Sequence, residues 1–427
     1  MAGPIAQSRH NAGPPRATAY AWLVFALSFG LLISDYMARQ VLNAVFPMLK
    51  AEWSLSDSQL GLLSGIVAVM VGLLTFPLSL AADRWGRVRS LTLMAILWSL
   101  ATLLCAVASG FHEMLIGRAL VGVGEAAYGS VGIALVVSVF PQRLRATLSA
   151  AFMAGGLLGQ VLGVAIGAQI AASHGWRQAF FAIGIAGLML GVLFPLLVRE
   201  RRNRELAGLP AAVSAQPLKV ALRSLVASRS VRLAYVGSGL QMFAAGALPA
   251  WLPSYLNRYY ALPVDQAGRA AALLLLVCGA GMVLCGMLSD RMARGRPDRK
   301  IALAVTYCIG TAASLALAFQ LPAGTAQFAL IALAMFLVAG TTGPAGAMVA
   351  NLTPLVVHGT AFATLTLANN LLGLAPGPIL TGRFADSLGL LGALQLLPIP
   401  CLAAAAVFAL MRRSYLADLA QMAPAKA

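Results

Sequence analysis

Apolar residues run through this chain in blocks of about 20 or more, broken by short clusters of charged or turn-forming residues. The blocks fall at about 20–46, 57–82, 90–110, 114–140, 146–172 and 177–198, then at about 233–256, 266–289, 301–321, 325–349, 358–382 and 388–411. At a rise of about 1.5 Å per residue, each is long enough to cross a hydrocarbon layer of about 30 Å as a helix. The pattern predicts an all-α membrane protein with about twelve transmembrane helices in two sets of six. Residues 1–198 would form the first half, 199–232 a hydrophilic linker and 233–427 the second half. The run that opens at Tyr20 is too long for the core of a signal peptide, so it is expected to be retained as the first helix.

Composition agrees and adds a direction. Of the 427 residues, 60% are hydrophobic and only 10% are charged, too few to solvate the surface of a soluble chain this long, so lipid is part of its solvent. The net charge of +17 would suit a nucleic-acid partner if it lay on one face or in one basic domain. It sits instead in small clusters between the apolar blocks, which speaks against nucleic acid. With the N-terminus placed in the cytoplasm, about 23 of the 30 Lys and Arg residues fall on that side and about five on the other. Both termini are therefore expected to be cytoplasmic, in an inner (plasma) membrane. The five cysteines lie inside apolar runs without metal-site or disulfide spacing. No nucleophile–base set or nucleotide-binding loop stands out, so the chain reads as a non-enzyme that needs no cofactor and no metal.

The chain also repeats itself. Ser79-Leu-Ala-Ala-Asp83-Arg84-Trp-Gly86-Arg87 follows the second block, and Gly286-Met-Leu-Ser-Asp290-Arg291-Met-Ala-Arg294 follows the eighth. The two aspartates are 207 residues apart, about half the chain, as two six-helix pseudo-repeats require. This loop motif, Asp83-Arg84-x-Gly86-Arg87 with its second copy at Asp290-Arg291, resembles the signature of the major facilitator superfamily. Ser79 and Ala293 stand where that family usually has glycine. The fourth block, Arg118-Ala-Leu-Val-Gly122-Val-Gly124-Glu125-Ala126, resembles spinster-like transporters, and Trp176-Arg177-x-x-Phe180 is likewise typical of the superfamily. The resemblance implies the major facilitator fold, alternating access, and a role for the loop motif as a cytoplasmic latch, with Arg143 or Arg145 as a partner for Asp83. Spinster-like proteins usually carry an Asp-Arg pair in the first helix. Here Ala38 precedes Arg39, and the nearest acid is Asp35, one turn earlier on the same helical face.

Four ionisable residues are embedded in apolar blocks: Asp35, Arg39, Arg118 and Glu125. A charge at membrane depth costs several kilocalories per mole unless it is paired or hydrated, so each is a candidate for function. Counted from the helix ends, the two acids lie near the midplane and the two arginines nearer the outside, one compact cluster. Asp35 and Glu125 are the expected proton-coupling residues. Arg39 and Arg118 are expected to hold a substrate anion or to pair with the acids. A static set of ion pairs locking helices one and four is the structural alternative. In the second half, Gln241, Trp251, Tyr255, Asn369 and Asn370 are expected to offer substrate-binding surface, or else to bond neighbouring helices. Gly155, Gly159, Gly163 and Gly167 read as a packing seam.

The expected function is secondary transport of a small organic or amphiphilic, lipid-like anion, coupled to protons, by a monomer in the lipid bilayer. A proton-driven exporter of cationic or neutral solutes is the alternative within transport. A non-transporting membrane receptor is the alternative outside it.

Overall fold

A computed structural model describes residues 18–199, 228–294, 296–354 and 358–422. The described chain is helical: α1 (Ala19–Ala44), α2 (Phe46–Trp53), α3 (Asp57–Trp85), α4 (Arg87–Val107), α5 (Phe111–Glu125), α6 (Tyr128–Val139), α7 (Gln142–His174) and α8 (Trp176–Leu197) make the first set. The second set comprises α9 (Arg229–Tyr259), α10 (Val264–Met292), α11 (Arg299–Ala318), α12 (Thr325–Val338), α13 (Thr342–Asn351), α14 (His358–Asn369), α15 (Pro376–Leu394) and α16 (Pro398–Met422). Ten of the described segments, counting α5–α6 and α12–α13 as one each, are long and apolar enough to cross a membrane. With α9 and the α14–α15 segment they make the twelve spans of the expected fold. The expected linker, 199–232, lies almost wholly outside the described residues.

Several spans are broken where the sequence read as continuous. The first ends at Ala44, and the short α2 leaves it at Val45 and stops at Ser54, whose φ is 51°. The fourth breaks after Glu125 and the tenth after Val338. The eleventh passes through a π-helical turn, Asn370–Leu374, just before Pro376, where the missing proline N–H leaves the ladder incomplete. Its true end is Gly389, at φ 73°, a conformation that glycine adopts without strain, so the last span starts later and runs further than expected.

The seam between α1 and α7 is tight. A side chain at Gly159 would meet the Ile33 carbonyl at 2.6 Å, and one at Gly163 would meet the Met37 backbone at 2.8 Å. The glycine ladder is thus a packing surface, as in other membrane helix pairs where small residues let backbones approach. Elsewhere α4 lies against α5 and α8, while α16 lies against α9 and α11. The last turns of α16 also hold the start of the second set, because the Asp418 carboxylate accepts from Ser228 Oγ (2.6 Å) and from the Ser230 amide (3.0 Å).

The two sets converge at the end remote from the termini, here the far end. There α3 packs on α15 and α7 on α10. Gly61 and Gly65 of α3 sit directly on the backbone of Ala375–Ile379, and Gly382 of α15 on the Asp57 carbonyl. Toward the near end the facing helices part. Gly129 and Ser130, at the start of α6, are exposed, and no atom stands within 4 Å of where a Gly129 side chain would be. Leu73 and Phe76 of α3 and Phe362 and Leu367 of α14 are exposed there as well. The result is a cleft between the halves, shut at the far end and open toward the termini.

Candidate functional site

The membrane-embedded charges gather where α1 meets the α5–α6 break. Glu125 is the last residue of α5, and its chain is positioned from behind: Gly124 packs on the Trp98 backbone, and the Trp98 ring meets Tyr128 edge-on at 5.0 Å. Tyr128 in turn donates to the Ser28 carbonyl of α1 at 2.8 Å. The Glu125 carboxylate lies 3.9 Å from the Arg39 guanidinium, with only 4% of the Glu125 side chain exposed against 21% of Arg39. Asp35, one turn before Arg39 on α1, is buried near Glu125. Asp35 Oδ1 and Glu125 Oε1 are buried and have no hydrogen-bond partner among the described residues. A guanidinium that is partly exposed at this depth faces the cleft, because exposure to lipid would leave its charge unhydrated.

Arg118 belongs to the same neighbourhood but does something else. It is 1% exposed, and it donates to the carbonyls of Ala38 (2.8 Å), Arg39 (2.9 Å) and Leu63 (3.4 Å). Three of its five N–H donors brace α1 and α3. The sequence expected a substrate or acid partner here; in this conformation Arg118 is buried and its hydrogen bonds go to backbone, whereas the Arg39 side chain is 21% exposed.

The polar candidates of the second half divide in the same way. Gln241 is buried and donates to Thr311 Oγ1 (3.3 Å) and to the Val338 carbonyl (3.2 Å), joining three helices. Trp251 is buried at the far end, with its indole N–H on the Pro378 carbonyl (3.2 Å) and its ring 5.3 Å from Phe46 of the other half. Tyr255, also buried there, stacks on Tyr259 at 4.8 Å. In this conformation all three are buried against protein. Asn369, partly exposed, accepts from Ser238 Oγ (2.8 Å), and Asn370 opens the π-turn while donating to the Thr366 carbonyl (2.9 Å). Of the five, Asn369 is the one that is not fully buried.

In the loop motif, the Asp83 side chain lies outside the described residues. Gly86 joins α3 to α4 at φ 97°, a left-handed conformation that explains a glycine at this position. Arg87 donates to the Ala134 carbonyl of α6 (3.1 Å), and Arg84 is exposed. Arg145, expected as a latch partner, bonds its own helix start through the Phe140 carbonyl (3.1 Å). In the second copy Asp290 is exposed and bound by Lys300 (2.9 Å), and Arg291 is exposed.

Sequence reasoning missed a polar lock at the far end. Asp57, 4% exposed, takes Lys50 Nζ at 2.6 Å and a two-pronged bond from Arg258 of the other half at 2.7 and 2.9 Å. Asp386 of α15 accepts from the Asp57 amide at 2.7 Å and from the Ser58 amide at 3.1 Å, and it also bonds the Ser58 hydroxyl. An acid from one half thus caps the first turn of a helix in the other, where the helix dipole favours negative charge. Arg269 adds a bond to Gln169 across the same junction (2.8 Å). The one available signal was Ser56-Asp57-x-Gln59, a capping box that marks the helix start; the partners lie 201 and 329 residues away in sequence.

Comparison with known proteins agrees with this architecture. The chain is 27% identical to the probable L-galactonate transporter of Escherichia coli (strain K12), over 74% of this chain and 73% of that protein. It is 26% identical to protein spinster homolog 1 of Homo sapiens, over 86% of this chain and 73% of that protein. Among solved structures, a bacterial homolog of the human lysosomal transporter Spinster, in an inward-facing and unoccupied conformation, superposes with a TM-score of 0.82 at 21% identity. That likeness covers 94% of this chain and 99% of the other. Residues 27–375 match the family model of the Major Facilitator Superfamily, and the chain belongs to that family as a multi-pass, spinster-like secondary transporter.

Proposed function

We propose that the protein moves a small organic anion together with protons, with Arg39 holding the anionic group and the Asp35–Glu125 pair carrying the proton. The observation that carries this reading is the unequal exposure of one ion pair: Arg39 is open to the cleft while Glu125, 3.9 Å away, is buried beside a second carboxyl. An arriving carboxylate competes with Glu125 for the guanidinium. A proton on the carboxyl pair removes that competition and frees Arg39 for substrate. Loss of the proton restores the internal pair and expels the anion, so occupancy by proton and by anion rise and fall together. Arg118 serves by fixing the backbone on which Arg39 stands. Relatives named for L-galactonate, hexuronate and gallate transport support an organic acid as substrate. The distribution of Lys and Arg supports cytoplasmic termini in the inner membrane, which makes this conformation inward-open, with the two six-helix halves rocking about the site.

The test is proton movement in proteoliposomes challenged with sugar acids, aromatic acids, organic cations and lysolipids, comparing wild type with Glu125→Gln. The expected result is acid-driven proton uptake that the variant loses, with substrate exchange at equal concentrations retained. Anion flux independent of protons and untouched by the substitution would overturn the coupling. Flux of cations alone would overturn the anion site.

A further inference from the structure

The loop between α10 and α11 is unusually basic and poorly used. Residues 290–300 hold Arg291, Arg294, Arg296, Arg299 and Lys300 against Asp290 and Asp298. Lys300 is committed to Asp290 and Arg299 to the Met292 carbonyl. Arg291, Arg294 and Arg296 are exposed, and their side chains make no hydrogen bond or ion pair among the described residues. The contrast with the first copy of the motif is informative. There Arg87, the counterpart of Arg294, is turned inward onto the Ala134 carbonyl; the Arg294 side chain makes no such bond among the described residues.

The helix leading to this loop ends in the same direction. Leu276, Val283, Leu284, Met287 and Leu288 of α10 are each between 45% and 63% exposed, and they lie on one side of the helix. The opposite side is buried, with Gly281 on the Phe336 backbone and Cys285 beside Gly340. Val283, Met287 and Arg291 follow one another at i+4, so the apolar row runs directly into the first free arginine. From Val283 to Arg291 is about 12 Å along the helix, close to the half-thickness of a bilayer core.

We propose that this face is a phospholipid site: Arg291, Arg294 and Arg296 hold the phosphate-bearing headgroup of an anionic lipid, and the exposed row on α10 lies along its acyl chain. Arginine suits this partner because its planar donors meet phosphate oxygens in pairs. Apolar row, leaflet-length spacing and free guanidinium groups together specify a lipid, whereas a soluble phosphate would have no use for the row.

The experiment uses the full chain in phosphatidylcholine nanodiscs with increasing phosphatidylglycerol, reading retained lipid by native mass spectrometry and thermal stabilisation on titration. Wild type should retain phosphatidylglycerol and be stabilised by it. Arg291→Gln with Arg294→Gln should weaken that response roughly 30-fold, from about fivefold per juxtamembrane arginine. Arg412→Gln with Arg413→Gln removes the same charge from an exposed position on α16 and should change the response less than about threefold if the site is local. Equal weakening by both pairs means diffuse attraction and overturns the proposal, as does an unchanged response in the first pair. Should the first pair fail to fold, Arg296→Gln alone, outside the helix, is expected to cost about fivefold, and no effect there overturns the site. Inorganic phosphate in excess should not displace the retained lipid; displacement would make this an anion site and not a lipid site.

Discussion

Removing Arg258 from the far-end lock should push the transporter toward its opposite conformation. Asp57 has two cationic partners, and Arg258→Gln takes away the one that comes from the other half, leaving Lys50 in place. Two unit charges about 4 Å apart in an effective dielectric of about 20 attract by roughly 4 kcal/mol. Desolvation and side-chain ordering offset part of that, and the remaining lysine still compensates the acid. A loss of about 2 kcal/mol from the far-end-closed state is then expected, in the range of charge-assisted hydrogen bonds. That is roughly a 30-fold change in the ratio of closed to open forms. Spin labels at Ala172 and Ala323, exposed at the far end of opposite halves, would report it as a longer-distance population in double electron–electron resonance. Asp57→Asn should act in the same direction, and the two substitutions together should be less than additive, since they remove one shared contact. A distance distribution that Arg258→Gln leaves unchanged, or effects that simply add, would refute the lock.

Arg118→Gln should cost about 2–5 kcal/mol, seen as a large fall in melting temperature, because it removes the charge-assisted hydrogen bonds that tie α5 to the Ala38, Arg39 and Leu63 carbonyls of α1 and α3. Arg118→Lys should not rescue it, since an ammonium cannot reproduce the fork; a normal melting temperature with a raised KM would instead make Arg118 a substrate ligand. Gly159→Ala should lower stability by about 1–3 kcal/mol, measured by thermal unfolding, because its methyl group meets the Ile33 backbone. Glu52, outside the spans, is held below the usual carboxylate range by hydrogen bonds from Trp176 Nε1 (2.5 Å) and Arg177 (2.6 Å). A depressed pKa adds stability above the unfolded value near 4.5 that is lost as pH falls through the folded value. The melting-temperature gap between wild type and Glu52→Gln should therefore be small at neutral pH, because the pair is half exposed, and should shrink further in acid.

The twelve spans were legible because the hydrophobic pattern alone answers whether a segment can sit in lipid. The cluster of Asp35, Arg39 and Glu125 was legible for the complementary reason, that a charge in an apolar run is costly and therefore conspicuous. Where a charge points was not legible. Arg118 and Arg39 look alike in sequence, yet one serves three carbonyls and the other faces the cleft. Gln241, Trp251 and Tyr255 are polar or amphipathic side chains in spans, and only packing distinguishes an interhelical bond from a binding surface. The far-end lock was hidden because acids and bases in connecting segments are ordinary, and nothing local links Asp57 to Asp386. Helix breaks at Glu125 and Asn370 escaped for a similar reason: an apolar run keeps its hydropathy through a kink.

The far-end seal, in which Gly61, Gly65 and Gly382 bring backbones of the two halves into direct contact, also has an electrical consequence. Such a junction leaves no room for a file of water, whereas the open cleft conducts. The transmembrane voltage therefore falls mostly across the seal, and the carboxyl pair sits close to the potential of the compartment that fills the cleft. When access switches, the same two groups pass to the other end of the field without moving far themselves. Each net charge carried through that switch is worth about 2.3 kcal/mol per 100 mV, so in the proposed proton-coupled cycle voltage adds to the driving force whenever the proton and anion charges do not cancel.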